Sequence, residues 1–281
     1  MDCGGAAFWV AVLAAVWADV LGEGVRAVLA ISTSKPTVHV VDSLDRLHSD
    51  VCDCRRCPRL VEWRELVALE KRASYRDDTY WGRGVPGFGD PAARVMVLGL
   101  APAAHGANRT GRVFTGDRSG DWLFRAMHRA GFANQPTSVS ADDGLALRDA
   151  WVTAVVKCAP PGNTPLPIER DACRSFLVRE LSALDRLRVI VCLGGFAYEA
   201  ACRHFEVRPR PKFGHGVETP ILQRDAPGNS RDAGNSGRPL TLLCSFHPSQ
   251  QNTFTGRLTE PMIDAVFARA AHLAALPAPS P

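Results

Sequence analysis

Cys54-Arg55-Arg56-Cys57 is a C-x-x-C pair just ahead of a helical pattern, Cys158 closes an apolar run, and Cys173 follows a Pro-rich loop. Alone, the pair suits zinc, an iron–sulfur centre or a redox dithiol. With the two mid-chain thiolates added, the set could hold Zn²⁺ or a [4Fe–4S] cluster, and spacing does not choose between them. Cys52 competes with Cys54 for a place, and the C-x-x-C spacing favours Cys54. Cys192, in the middle of an apolar run, reads as a small buried hydrophobe, as do Cys202 and Cys244. Nine scattered cysteines do not form a secreted disulfide framework and point to a reducing compartment.

Two loops carry residues suited to a flat ring. Gly99–Asp117 is long, polar and Gly-rich, with Phe114 set among flexible and basic residues. That suits stacking on one inserted base; the plain alternative is an ordinary core phenylalanine. In His247–Thr259, the rigid Pro248 holds an imidazole at a strand end, where it can donate a hydrogen bond into a pocket. Ser249, Asn252, Phe254 and Arg257 then supply a hydroxyl, an amide, an aromatic ring and a cation. Such a loop could enter a groove, contact phosphates and part bases. The bland reading is a solvated loop that caps the last helix through Thr259.

The elements that must position these loops follow from periodicity. Short β-branched apolar runs at Arg94–Leu100, Trp151–Lys157, Arg188–Leu193 and Leu240–Phe246 predict buried strands. Helical patterns cover Leu60–Ser74, Gly120–Ala130, Ile168–Leu187, Phe196–Phe205 and Pro261–Ala275. Strands alternating with helices imply a parallel sheet covered on both faces, with ligands beyond the carboxyl ends of its strands. The Gly228–Pro239 stretch, rich in Gly, Ser, Asn and Asp, reads as a flexible insertion. Residues 1 to 38 form an appendage of unknown role. The apolar run Ala6–Leu21 lacks the basic flank of a signal peptide and is too short and interrupted for a membrane span. The chain of 281 residues can build one sizeable α/β domain over 39–281, and its net charge of +4 permits contact with nucleic acid without indicating it.

The two loops resemble motifs A and B of the type 5 uracil-DNA glycosylases, the broad-specificity branch of the uracil-DNA glycosylase superfamily. The likeness extends to Cys54–Leu60, to Tyr80-Trp81-Gly82-Arg83 and to Val156–Asn163, and covers most of residues 50–275. It implies a three-layer α/β/α fold with a central, mainly parallel four-stranded sheet. It also implies a [4Fe–4S] cluster on Cys54, Cys57, Cys158 and Cys173, and a monofunctional DNA N-glycosylase. The substrate would be duplex or single-stranded DNA carrying uracil or other damaged bases, met by a cytoplasmic, nucleoid-associated monomer with no membrane contact. By the same resemblance His247 donates to the base carbonyl, Gly99, Leu100, Ala101, Pro102 and Ala103 line the pocket, and Phe114 stacks on the base. Ala101 stands where other branches carry a water-orienting carboxylate or amide, an absence shared by type 5 members. Water positioning then falls to Asn108, with Asp117 or His105 as further candidates. Ala154 stands where relatives often carry a base-reading Asn, which implies a pocket tolerant of other lesions. Two rival readings are a non-catalytic iron–sulfur DNA-binding module and a zinc-stabilised nucleotide binder at Gly194-Gly195. The lack of a G-x-G-x-x-G fingerprint or a P-loop counts against the second.

Overall fold

The structure, a computed structural model, describes residues 43–223 and 238–275. The N-terminal appendage and most of the Gly228–Pro239 stretch lie outside the described residues. Six strands form one sheet: β1 (Phe88–Gly89), β2 (Val95–Gly99), β3 (Ala150–Ala154), β4 (Val189–Leu193), β5 (Glu218–Gln223) and β6 (Arg238–Ser245). Their order is β1-β3-β2-β4-β6-β5. The four expected runs form its parallel centre, with Val97 opposite Val152 and Val191, and Cys192 opposite Cys244. The sheet is thus wider than the expected four strands, because β1 and β5 add antiparallel edges. Pro239, expected in the flexible insertion, belongs to β6.

The helices are α1 (Leu44–Cys52), α2 (Pro58–Glu70), α3 (Ala107–Thr110), α4 (Arg118–Arg129), α5 (Pro167–Ala183), α6 (Gly195–His204), α7 (Gln250–Phe254) and α8 (Glu260–Ala275). Successive strand residues point to opposite faces, and the core divides accordingly. Val95, Val97, Val152, Val189 and Val191 pack with Leu123, Phe124 and Met127 of α4 and with Ile263, Val266 and Phe267 of α8. Met96, Leu98, Trp151, Ile190 and Cys192 pack with Leu177 and Leu181 of α5 and with Tyr198 and Ala201 of α6. Every residue of β2, β3 and β4 is buried, so these strands read as continuous apolar runs rather than alternating ones. The outcome is the α/β/α sandwich, with the chain leaving β2, β3, β4 and β6 along one rim.

Candidate active site

At that rim, β2 ends on Gly99 and β6 runs on to His247. The ring centroids of Phe114 and His247 lie 5.9 Å apart, tilted by 37°. A side chain at residue 99 would begin 2.6 Å from Phe114 Cζ, so glycine is what lets the ring lie against the strand end. Phe114 holds a left-handed backbone, φ 54°, which costs a non-glycine residue on the order of 1–3 kcal/mol and is typical of functional sites. The ring is 8% exposed and also packs into the core. The core reading of Phe114 is thus met, and the same ring also lies against His247. Ala154, the register partner of Gly99, is buried beside it.

Among the described residues no protein group bonds either ring nitrogen of His247, so both are open to a ligand. Burial drives its pKa down to about 4, and the imidazole is neutral at pH 7. A neutral ring donates from one nitrogen without becoming a general acid. Its backbone is fixed from both sides. Asn252 Nδ2 donates to the His247 carbonyl at 2.8 Å, and the Phe246 N–H donates to His215 Nδ1 at 3.2 Å. His215 Nε2 in turn pairs with the Met262 carbonyl at 3.2 Å. Asn252, expected at a DNA phosphate, thus turns its amide nitrogen inward, because His247's carbonyl at the strand end needs a donor. Ser249 Oγ accepts the Asn252 N–H as N-cap of α7. Phe254 stands 67% exposed at the end of that helix, with the Arg118 guanidinium 4.6 Å from its ring. Arg257 is exposed as well, above the ring of Phe246.

The motif loop is more ordered than its glycines suggest. Arg109 bonds Asp78 at 2.7 Å and lies over Tyr75, and buried Arg112 bonds Asp143, Ser138 and Thr115. These cations brace the loop from within, a correction to the expected flexible basic surround of Phe114. Asp117 caps α4 through the N–H groups of Gly120, at 3.0 Å, and Ser119. Its carboxyl packs where a side chain at Gly106 would stand, and burial raises its pKa. Its Oδ1 is thus engaged at the N-terminus of α4. His105 is held by the Tyr80 hydroxyl at 3.1 Å. Asn108 is fully buried; its Nδ2 donates to the Arg64 carbonyl at 3.1 Å, while its Oδ1 has no protein partner. A buried acceptor left open in this way is a place for an internal water. Asn108 Oδ1 is thus an open acceptor inside the fold, while His105 keeps its Nε2 without a protein partner among the described residues. Ala101 and Ala103 are half-buried and Pro102 is buried, all directly after β2.

Behind the sheet rim, Cys54, Cys57, Cys158 and Cys173 line one cavity, closed by Leu60, Val61, Val156 and Phe176. Cys57 is the N-cap of α2, Cys158 follows β3 and Cys173 lies on α5. The pocket opens to solvent on one side. Burial raises the thiols of Cys57 and Cys158 and pushes Cys173 up to about 12, while each feels the charge of its neighbours. Among the described residues no three His, Cys, Asp or Glu side chains converge closely enough for a single metal ion. The four thiols line one space. Four thiols lining one apolar space are a donor set that a Cys₄ zinc and an iron–sulfur cluster both use. Cys52 lies outside this cavity, and Cys192, Cys202 and Cys244 are buried elsewhere in the core.

A family model described as the uracil DNA glycosylase superfamily matches residues 86–271. The chain belongs to the uracil DNA glycosylase superfamily. Similar relatives are type-5 uracil-DNA glycosylases of Mycobacterium bovis, 50% identical over 237 residues, and of Thermus thermophilus, 48% identical over 224 residues. The first match covers 83% of this chain and 83% of the relative; the second covers 79% and 94%. A type-4 uracil-DNA glycosylase of Archaeoglobus fulgidus is 31% identical over 211 residues, covering 74% of this chain and 83% of the relative. The superfamily match spans the sheet, the motif loop and His247. Sequence reasoning missed His215, which braces the strand end, because a lone histidine between two glycines offers no spacing or pattern. It also missed Arg64, which reads as one charge on an otherwise ordinary amphipathic helix.

Proposed function

We propose that this chain removes uracil, and other deaminated or damaged bases, from DNA by hydrolysing the bond between base and sugar. The observation that carries this is the neutral, unpartnered imidazole of His247 beside the Phe114 ring, over the bare backbone of Gly99. Glycosidic cleavage leaves negative charge on the departing base, and a fixed donor in a desolvated pocket stabilises it. Phe114 stacks on the extruded base, and the backbone at Gly99–Ala103 lines its edge. Asn108, through its open Oδ1, holds the attacking water. Small Ala101 and Ala154 leave room in the pocket, which supports tolerance of bases other than uracil. Exposed Phe254, flanked by Arg118, offers a wedge and a phosphate contact where the strand end meets DNA, with Ser249 and Arg257 beside it.

We also propose a [4Fe–4S] cluster on Cys54, Cys57, Cys158 and Cys173. It would supply a structural tie, joining α1 and α2 to the end of β3 and to α5. The test is a panel of single-lesion oligonucleotides, duplex and single-stranded, read by alkaline cleavage at abasic sites, beside iron and zinc analysis. Abasic product from uracil with about four irons per chain is expected. Tight lesion binding with no abasic product would contradict the catalytic reading.

A further inference from the structure

Arg64 lies on the face of α2 that begins with Cys57 and continues through Leu60 and Val61, the i, i+3, i+4, i+7 stripe facing the cysteine cavity. The residue is 1% exposed. Its Nη1 donates to Cys158 Sγ at 2.9 Å and its Nη2 to the Cys54 carbonyl at 3.0 Å, while Nε is buried without a partner. Among the described residues no carboxylate forms an ion pair with it. Lys157, equally buried on the same side of the sheet, shows the contrast: its ammonium sits 2.8 Å from Glu180 and is further held by Thr153.

A guanidinium stays protonated at any pH the protein meets. Sealed from water and bonded only to a thiol and a carbonyl, with the Glu65 carboxylate acting on it without contact, it lacks a touching counter-charge, and burying such a cation costs more than hydrogen bonds to neutral groups return. The imbalance disappears if the sulfur it touches carries negative charge. Four thiolates outweigh the positive charge of the iron–sulfide core they bind, so a cluster in the adjoining cavity is anionic.

We infer that Arg64 is the counter-charge of the metal centre held by Cys54, Cys57, Cys158 and Cys173, and that it raises that centre's reduction potential and its resistance to loss. This rests on the cluster reading above. A fixed cation at hydrogen-bond distance from a ligand sulfur favours the more negative, reduced state and weakens the tendency of the thiolate to leave. The role is one of positioning and electrostatics; Arg64 does not touch substrate.

The experiment compares the full-length parent with Arg64→Lys, Arg64→Gln and Arg64→Met, all purified without oxygen. Iron content, absorbance near 400 nm, its bleaching rate under chelator, and the one-electron potential at an electrode are read for each. Arg64→Lys should hold iron and titrate close to the parent. Arg64→Gln and Arg64→Met should bleach at least tenfold faster and shift the reduced-to-oxidised ratio at least tenfold toward oxidised, about 59 mV lower for one electron. Neutral variants isolated without iron, beside an iron-loaded Arg64→Lys, would support the same conclusion. Iron-loaded neutral variants with the parent's potential would overturn it, as would lysine and glutamine variants that lose iron equally. A colourless, iron-free parent would instead overturn the cluster reading itself.

Discussion

The donation proposed for His247 comes from a neutral imidazole, and its surroundings keep the ring neutral. Desolvation is the cause that lowers its pKa to about 4, from an ordinary 6.5. Between these values the unfolded chain takes up a proton that the folded chain refuses. Stability therefore falls as pH drops through that window and loses nothing on this account above pH 6.5. Half-buried His204, also lowered to about 4 by desolvation, acts in the same direction. Base release is expected to stay level from about pH 8 to about pH 6, since the donor is already neutral there. A pH–rate profile breaking near the ordinary histidine value would contradict this. Gly99→Ala tests the close approach: its new methyl meets Phe114 Cζ at 2.6 Å, and the ring, already on strained backbone, must shift. Release of uracil should fall at least tenfold for an overpacking cost of about 1–3 kcal/mol by thermal melting. The sequence announced both His247 and Phe114 through their neighbours, Pro248 and a run of glycines. Asn252 was legible as polar but not in direction, because its partner, the His247 carbonyl, is backbone.

At the scale of elements, the end of β6 depends on His215, which accepts the Phe246 N–H and pairs with the Met262 carbonyl of α8. His215→Phe keeps the stacking against Phe246 but leaves that buried N–H unpaired, about 1–3 kcal/mol. Its expected signature is a fall in turnover with substrate binding little changed, partly restored in His215→Asn, whose carbonyl oxygen can accept the same N–H. Equal defects in both variants would show that the histidine only fills space. The end of β3 is held differently, by buried Lys157 against Glu180 and Thr153. Lys157→Met strands a buried carboxylate and should cost about 3–5 kcal/mol, whereas the pair Lys157→Met with Glu180→Leu should recover much of it; thermal melting decides. Strands β2, β3, β4 and β6 were legible as apolar runs because both faces are covered. The edges were not. β1 has only two residues, and β5 carries Pro220 and exposed positions, the ordinary dress of an edge strand.

Across the whole molecule, one layer of the sandwich carries the cysteine cavity and the rim carries the proposed base pocket, with Asn108 joining them through the Arg64 carbonyl. Salt bridges from Arg59 to Glu169 and from Arg179 to Asp50 add to the tie between the N-terminal helices and α5. Cys158→Ser should therefore give protein of low iron content and lower melting temperature, and a variant with full iron would contradict the ligand set. The order of the layers could be read from alternating strand and helix patterns. The convergence of distant cysteines on one cavity could not, since it depends on chain crossings that spacing does not record; there the family resemblance supplied what periodicity lacked.

The most direct measurement of the central claim is single-turnover release of free uracil from a duplex oligonucleotide by the parent and by His247→Ala, both of verified fold and iron content. The parent should convert the strand to abasic product, and the variant should be slower by on the order of 10²–10³. A parent that releases no base, or a variant within a fewfold of it, would contradict the account.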